Sequence, residues 1–223
     1  GSAFVRYRED GSRRFVFNIV HSACGRLEKT AASDKLIDAS SHLHLMGSAL
    51  AAPGMRALAL DAMQRIKARG GTLSFDPNLR AELLDVPGLS EALAQVLAHT
   101  DIFLPSGDEL YLFTASQTES DAIAELLARG IGEIVVKRGA EGASHYSAQG
   151  RLDAAPIAVT ETDPTGAGDS FGGAFIALRL SGMAPREALQ YANAAGAHAV
   201  TILGPMQGTA SRAELDAMLA NPH

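Results

Sequence analysis

The chain has 223 residues, 47% of them hydrophobic, a formal charge of −6 and a pI near 5.6. That is enough apolar material for one domain with a small appendage, and it leaves no basic surface to attract nucleic acid or an anionic membrane. No apolar run approaches the roughly 20 residues that span a bilayer, and the single cysteine, Cys24, excludes an intrachain disulfide and a cysteine metal cluster, so a soluble, cytoplasmic protein is expected.

Residues 3–8 and 14–20 alternate and are rich in Val and Phe around Asp10-Gly11, which predicts a β-hairpin. Strand-then-helix units follow. "LHLMGS" (43–48) precedes a helix over 54–69, whose Met55, Leu58, Ala62, Met63 and Ile66 share one face. "GTLSFDPN" (71–78) leads to a helix over 88–98, and "DIFLP" (101–105) to helical segments near 107–113 and 119–129. "EIVVKRG" (133–139) continues into strand-like sequence through "RLDAAPIAVTE". Two Ala-rich helices, about 167–181 and 185–202, come next, then a short one over 211–220 opened by a Ser211/Glu214 capping box. Alternating β and α with continuously apolar strands predicts an α/β fold, a mostly parallel sheet covered by helices on both faces. Ligands in such folds sit beyond the carboxyl ends of the strands.

One stretch at such a position is "DPTGAGDSFGG", residues 163–173. Pro164 biases Asp163 towards extended backbone, so the helix starts after it. Gly166, Ala167 and Gly168 put almost no bulk at the helix entrance, where unsatisfied N–H groups and a dipole of roughly +0.5 charge favour an anion. Asp169 places a carboxylate in the same turn, suited to taking a proton from a hydroxyl that attacks a phosphoryl group. On spacing alone a second reading stays open: an acidic first turn followed by glycines, Gly172 and Gly173, that allow close packing. Neither the phosphate loop "GxxxxGK[ST]" nor the dinucleotide spacing "GxGxxG" is present.

"DPTGAGDSFGGAFI" resembles, position for position, the C-terminal signature of the ribokinase/PfkB family of carbohydrate kinases. "SFDPNLR", "FLPSGDEL", "VVKRGAEGA" and "YANAAGAHAV" resemble family segments in order and spacing, and 2-keto-3-deoxygluconate kinases and fructokinases are the most similar members. The resemblance implies a ribokinase-like α/β fold in which residues 1–20 are part of a β lid and 21–223 form the nucleotide- and sugar-binding domain. It also implies ATP and Mg2+ as requirements, with a monovalent cation such as K+ in some members. Asp169 would be the catalytic base, and the N–H groups of Gly166, Ala167 and Gly168 the anion hole. Nucleotide contacts would fall on Lys137, Arg138, Gly139, Ala140, Gly142, Ala143 and Asn193, with adenine between 137–143 and the loop near 203–208. Arg80 matches a sugar-acid-binding arginine, Glu109 the acid that organises magnesium through water, and Asp163 and Thr165 positions that hold the monovalent cation. The implied activity is ATP-dependent phosphorylation of a sugar or sugar-acid hydroxyl, with 2-keto-3-deoxygluconate as the candidate substrate and a homodimer through the lid.

The chain departs from the family pattern in three places. Ser106 stands where the magnesium motif has asparagine, and Phe17, Asn18 and Ile19 stand where some ketodeoxygluconate kinases carry tyrosine and arginine. Family members also carry a further segment, with the first strands and a glycine-rich sugar motif, ahead of the hairpin. A nucleotide-binding but inactive fragment or remnant, and a fructokinase or nucleoside kinase of the same family, are therefore the alternatives. Each site residue also has a plainer reading: Asp163, Asp76 and Asn78 as turn residues, Lys137 as strand-end material, Glu109 as a first-turn acid. Asn193, within a run of alanines, needs a partner if buried. His42 and His44 share a strand face and fit packing or surface better than zinc, and Met46, Met55 and Met63 fit core filling.

Overall fold

The computed structural model describes residues 2–7, 13–18, 22–79 and 85–220. The chain divides between residues 100 and 101 into two units. In the first, β1 (Ser2–Tyr7) and β2 (Arg13–Asn18) pair antiparallel from Ser2↔Asn18 to Tyr7↔Arg13. The Asp10-Gly11 turn lies outside the described residues, as do Ile19 and Arg80. Helix α1 (Ala31–Ala39) follows, then β3 (His42–Met46), α2 (Pro53–Ala68), β4 (Thr72–Asp76) and α3 (Leu89–Leu97). Strands β3 and β4 are parallel, in register from His42↔Thr72 to Met46↔Asp76. Helix α2 begins on Pro53, whose missing N–H costs nothing at a first position. Ile37, Ala62 and Ile66 form a buried cluster with Leu43 and Leu58 that joins α1, α2 and β3.

Helix α1 was not among the expected elements. Its start is local: Thr30 Oγ1 accepts the Ser33 N–H at 3.1 Å, and Ser33 Oγ accepts the Thr30 N–H at 2.8 Å. Serine in place of the usual Glu or Gln closes this box, so the standard sequence signature misses it. The histidines of β3 face β4, with His42 Nδ1 2.7 Å from Thr72 Oγ1 and His44 Nδ1 2.8 Å from Ser74 Oγ. Met63 is fully buried in the core.

In the second unit β5 (Ile102–Phe103) pairs parallel with β6 (Glu133–Lys137). The sheet then turns antiparallel through β7 (Ala143–Ser147) and β8 (Gly150–Ala154). Pairing ends at Ala154, and residues 155–161, read as strand-like from the sequence, form no strand. The helices are α4 (Glu119–Ala128), α5 (Ala167–Leu180), α6 (Pro185–Ala199) and α7 (Arg212–Ala220). The helical segment expected near 107–113 is a 3-10 helix, Gly107–Phe113. The Ser211/Glu214 box is present, with Glu214 Oε2 accepting the Ser211 N–H at 2.7 Å.

Val135 of β6, Ala143 of β7 and Ala154 of β8 meet Phe171, Phe175 and Ile176 of α5 and Ala188, Leu189 and Ala192 of α6 in one buried cluster. Small residues let α5 and α6 approach closely: a Cβ on Gly196 would lie 3.4 Å from the Ala167 carbonyl oxygen. The far end of α5 is tied to β6 by a bidentate ion pair, with Arg179 Nε 3.0 Å and Nη2 2.7 Å from the two Glu133 oxygens. His145 Nε2 lies 2.9 Å from the same carboxylate, while its buried Nδ1 makes no hydrogen bond.

Burial pushes the Glu133 carboxyl up, but hydrogen bonds from His145 and Arg179 outweigh it and hold it at about 2, against an ordinary 4.5. A depressed carboxylate pKa contributes stability that is present above pH 4.5 and is lost as pH falls towards about 2. Glu133→Gln is therefore expected to cost about 1–3 kcal/mol near neutral pH. Thermal melts of parent and variant at stepped pH should converge through that acid window; a constant gap would exclude the ionised carboxylate as its source.

Candidate active site

The mouth of α5 is built by backbone geometry. Gly166 caps the helix in the left-handed region, at φ +84°. A Cβ there would sit 2.2 Å from the Pro205 carbonyl oxygen, so glycine is required twice over. Just upstream, the buried Asp163 fixes the approach. Its Oδ1 accepts from Thr165 N at 3.0 Å and Thr165 Oγ1 at 2.7 Å, and its Oδ2 accepts from Gly204 N at 3.0 Å. The Thr162 and Asp163 N–H groups both donate to the Val200 carbonyl beyond α6. Asp163 thus staples the loop 203–205 against the helix entrance. The sequence suggested only a turn or cation role for it, and nothing local pointed to Gly204, 41 residues away.

The entrance itself is open. Gly168 and Asp169 are exposed, and no acceptor among the described residues takes the Gly166 or Gly168 N–H. The Ala167 N–H makes a long turn bond of 3.4 Å to the Pro164 carbonyl, so it is partly committed. The first helical bond, Ser170 N–H to Gly166 O, is 2.9 Å.

Lys137, the last residue of β6, reaches this mouth. A Cβ on Gly168 would be 3.9 Å from Lys137 Nζ, although the residue is only 9% exposed. Its N–H donates to the Pro105 carbonyl at 2.9 Å, and Ser106 bridges it in parallel. Glu109 is therefore carried on the same strand end. One of its oxygens accepts the Ser106 N–H at 2.8 Å, closing a capping box at the start of Gly107–Phe113.

The other expected nucleotide residues are divided. Gly139, Ala140 and Gly142 form the tight turn after β6, with Gly139 and Gly142 at φ +56° and +85°. A Cβ on Gly142 would come within 2.3 Å of the Ala154 carbonyl oxygen, and Ala143 is already core. Arg138 is turned to another task. Its guanidinium donates to Glu119 at 2.6 Å and to Ser144 at 2.7 Å, and Tyr146 also bonds Glu119. Burial pushes the Glu119 carboxyl up, yet bonds from Tyr146 and Arg138 leave it below its ordinary value. Arg138 offers a ligand its backbone, while its charge is spent on α4 and β7. Asn193, 8% exposed, has the partner its burial demands: Nδ2 donates to the Ala155 carbonyl at 2.7 Å, tying α6 to the segment after β8. Among the described residues no group of three His, Cys, Asp or Glu side chains is arranged to hold a metal.

Comparison with known proteins shows the family. The profile of the pfkB family carbohydrate kinases matches residues 1–211. The chain belongs to that family. An E. coli protein given the provisional name Ribokinase II, solved in complex with ATP and Mg2+, superposes with a TM-score of 0.91 at 45% identity, over 99% of this chain and 70% of that one. Fructokinase-1 of Oryza sativa subsp. japonica is 31% identical, covering 96% of this chain and 69% of its own. A 2-dehydro-3-deoxygluconokinase of Thermoproteus tenax is 29% identical, covering 94% and 64%. The fold is thus ribokinase-like α/β, and the chain is an ATP-dependent carbohydrate kinase of the PfkB family, a phosphotransferase with an alcohol acceptor. No helix among the described residues is long and apolar enough to cross a membrane.

Proposed function

We propose that this PfkB kinase phosphorylates a hydroxyl of a free sugar or sugar acid, with fructose and 2-keto-3-deoxygluconate the leading candidates, and that the mouth of α5 is where transfer occurs. The observation that carries this reading is the open, glycine-lined helix entrance with Asp169 exposed in its first turn. Asp169 takes the proton of the acceptor hydroxyl. The acceptor oxygen forms a bond to the γ-phosphorus of ATP while the bond to the bridging oxygen breaks, its electron pair remaining on ADP. The Gly166 and Gly168 N–H groups, with Ala167 shared between Pro164 and the ligand, stabilise charge on the transferred group. The turn 139–143 and Asn193 border the nucleotide, and Arg80 offers a guanidinium to a substrate carboxylate. The hairpin is assigned to a lid that covers the sugar and pairs two copies.

Mg2+ keeps most of its waters and needs only one or two carboxylates besides substrate phosphates, a need that a single acid can meet. Glu109 would hold it through water, and the metal would supply charge neutralisation on the phosphates. The Asp163 carboxylate and the Thr165 hydroxyl, brought together at 2.7 Å, would hold the monovalent cation.

A coupled assay of ADP release over a panel of sugars and sugar acids tests the proposal. Turnover is expected with fructose or 2-keto-3-deoxygluconate. If ATP binds by calorimetry but no member of the panel is phosphorylated, the chain is a nucleotide-binding remnant; if only nucleosides are turned over, the acceptor class is wrong.

A further inference from the structure

We propose that Arg138 is a positioning residue for the nucleotide: its guanidinium holds the turn 138–142 in place from behind and touches no phosphate. The inference rests on the reading above that this turn borders ATP. It gives that wall of the nucleotide site two anchors, one on α6 and one on α4.

The anchor on α6 is indirect. A Cβ on Gly142 would lie 2.3 Å from the Ala154 carbonyl oxygen and 3.1 Å from Pro156 N, so the turn leans on residues 154–156. The Ala155 carbonyl accepts the Asn193 amide at 2.7 Å, which fixes that segment to α6. The turn itself is closed by the Arg138 N–H, which donates to the Gly142 carbonyl at 2.9 Å. Gly139, Ala140 and Glu141 are exposed along its rim.

Arg138 supplies the anchor on α4. Alternation along β7 puts Ala143 and His145 on one face and Ser144 and Tyr146 on the other. Ala143 packs with α5 and α6, so Ser144 and Tyr146 lie on the opposite side of the sheet. The Arg138 side chain crosses to that side. Nη1 donates to Ser144 Oγ at 2.7 Å, and Nη2 to Glu119, the first residue of α4, at 2.6 Å. Ser144 is 1% exposed and is itself held, because its hydroxyl donates to Asp153, its register partner on β8. Arg151 Nε fixes the same Asp153 carboxylate at 2.8 Å. A planar fork joins two acceptors on two elements in one fixed geometry, which an ammonium on a flexible stem does not. The side chains of the ion pair are 21% and 34% exposed, and pairs so open to water add little to stability. What this one fixes is geometry. Contact at Gly142 limits how closely the turn approaches 154–156, and the Arg138 fork limits how it moves relative to α4 and β7. To reach a phosphate the guanidinium would have to leave both acceptors, and that gives the test its sign.

Calorimetry of ADP with Mg2+ on the full protein separates positioning from contact. Arg138→Met is expected to weaken ADP about tenfold, within the range of coupling across a contacting network. KM for ATP should rise alike, while kcat at saturating ATP changes less than about threefold. Glu119→Ala removes the anchor but keeps the guanidinium. It should weaken ADP to a similar extent, and the double variant no further, because both act through one interaction. Arg138→Lys should recover part of the affinity. Tyr146→Phe removes another hydrogen bond to the Glu119 carboxylate but leaves the fork, and should bind ADP as the parent does. If Arg138→Met or Glu119→Ala does not fold, Arg138→Gln and Glu119→Gln replace them under the same criteria. ADP affinity unchanged or raised in Glu119→Ala makes the guanidinium a ligand contact and overturns the proposal. An equal loss in Tyr146→Phe also overturns it, since general loosening of α4 would then explain the effect. The underlying reading fails separately. Ala140→Glu sets a carboxylate on the exposed rim of the turn and is expected to weaken ADP at least about tenfold, since like charges in contact are costly. Parent-like affinity in Ala140→Glu removes the nucleotide from this turn; a weakened Ala140→Glu beside a parent-like Arg138→Met removes the anchor alone.

Discussion

Asp169→Asn is expected to lower kcat by about 10²–10⁴-fold, the usual worth of a positioned general base, while the protein melts within about 1 kcal/mol of the parent. The substitution is isosteric and sits on an exposed residue in the first turn of α5, so no packing is disturbed. The helix loses the interaction of a carboxylate with its N-terminal dipole, about 0.3–1 kcal/mol. What disappears is the capacity to accept a proton. The amide mouth is made of backbone and survives, so nucleotide affinity should hold and a residual rate should remain. Steady-state kinetics with fructose or 2-keto-3-deoxygluconate, beside thermal melts and ADP binding, measure all three. Because the base must be ionised to act, the acid limb of the parent's rate profile should be absent from the variant's residual rate. A variant that keeps near-full transfer with its fold intact would remove Asp169 from the chemistry.

Much of this arrangement was legible in the letters. Strand and helix periods located most of the described elements, α1 excepted, because apolar alternation in β6 and the Ala-rich faces of α5 and α6 are local properties. The start of α5 was legible for the same reason: Pro164 restricts the backbone there, and glycine admits the left-handed turn at the helix entrance. Four features were not. Helix α1 begins on a Thr30/Ser33 box with serine in an unusual place. Arg138 reads as a ligand residue from the turn it opens, and only the folded register shows Glu119 and Ser144 taking its charge. The staple from Asp163 to Gly204, and the reach of Lys137 to Gly168, join residues far apart in sequence, and no local pattern encodes such distances. Ordinary turn and strand-end rules assigned these residues plain roles, and tertiary contact gave them further ones.

The staple makes Gly166 the residue whose replacement should do the widest damage. Gly166→Ala is expected to cost about 2–5 kcal/mol of stability and to lower kcat by at least about 10²-fold. Left-handed backbone costs an L-residue roughly 1–2 kcal/mol, and overpacking adds about 1–3 kcal/mol. The added methyl would press on the Pro205 carbonyl carbon and Cα as well as its oxygen, at 3.1, 3.4 and 2.2 Å, so backbone must move. Movement of Pro205 pulls on Gly204, whose N–H holds Asp163 Oδ2, and through Asp163 on Thr165. A shift of about 1 Å in the groups that position a reacting phosphate is worth about 10²-fold in rate. Gly173, seven residues on in the same helix, supplies a control of opposite sign. Nothing lies within 4 Å of a Cβ there, so Gly173→Ala should stabilise α5 by about 0.5–1 kcal/mol. Melting temperatures and kcat for the two variants separate strain at the entrance from a general intolerance of bulk along the helix. If both lose activity alike, the left-handed cap is not what shapes the mouth; if only Gly166→Ala does, the phosphate site is held open by one backbone angle and the loop stapled across it.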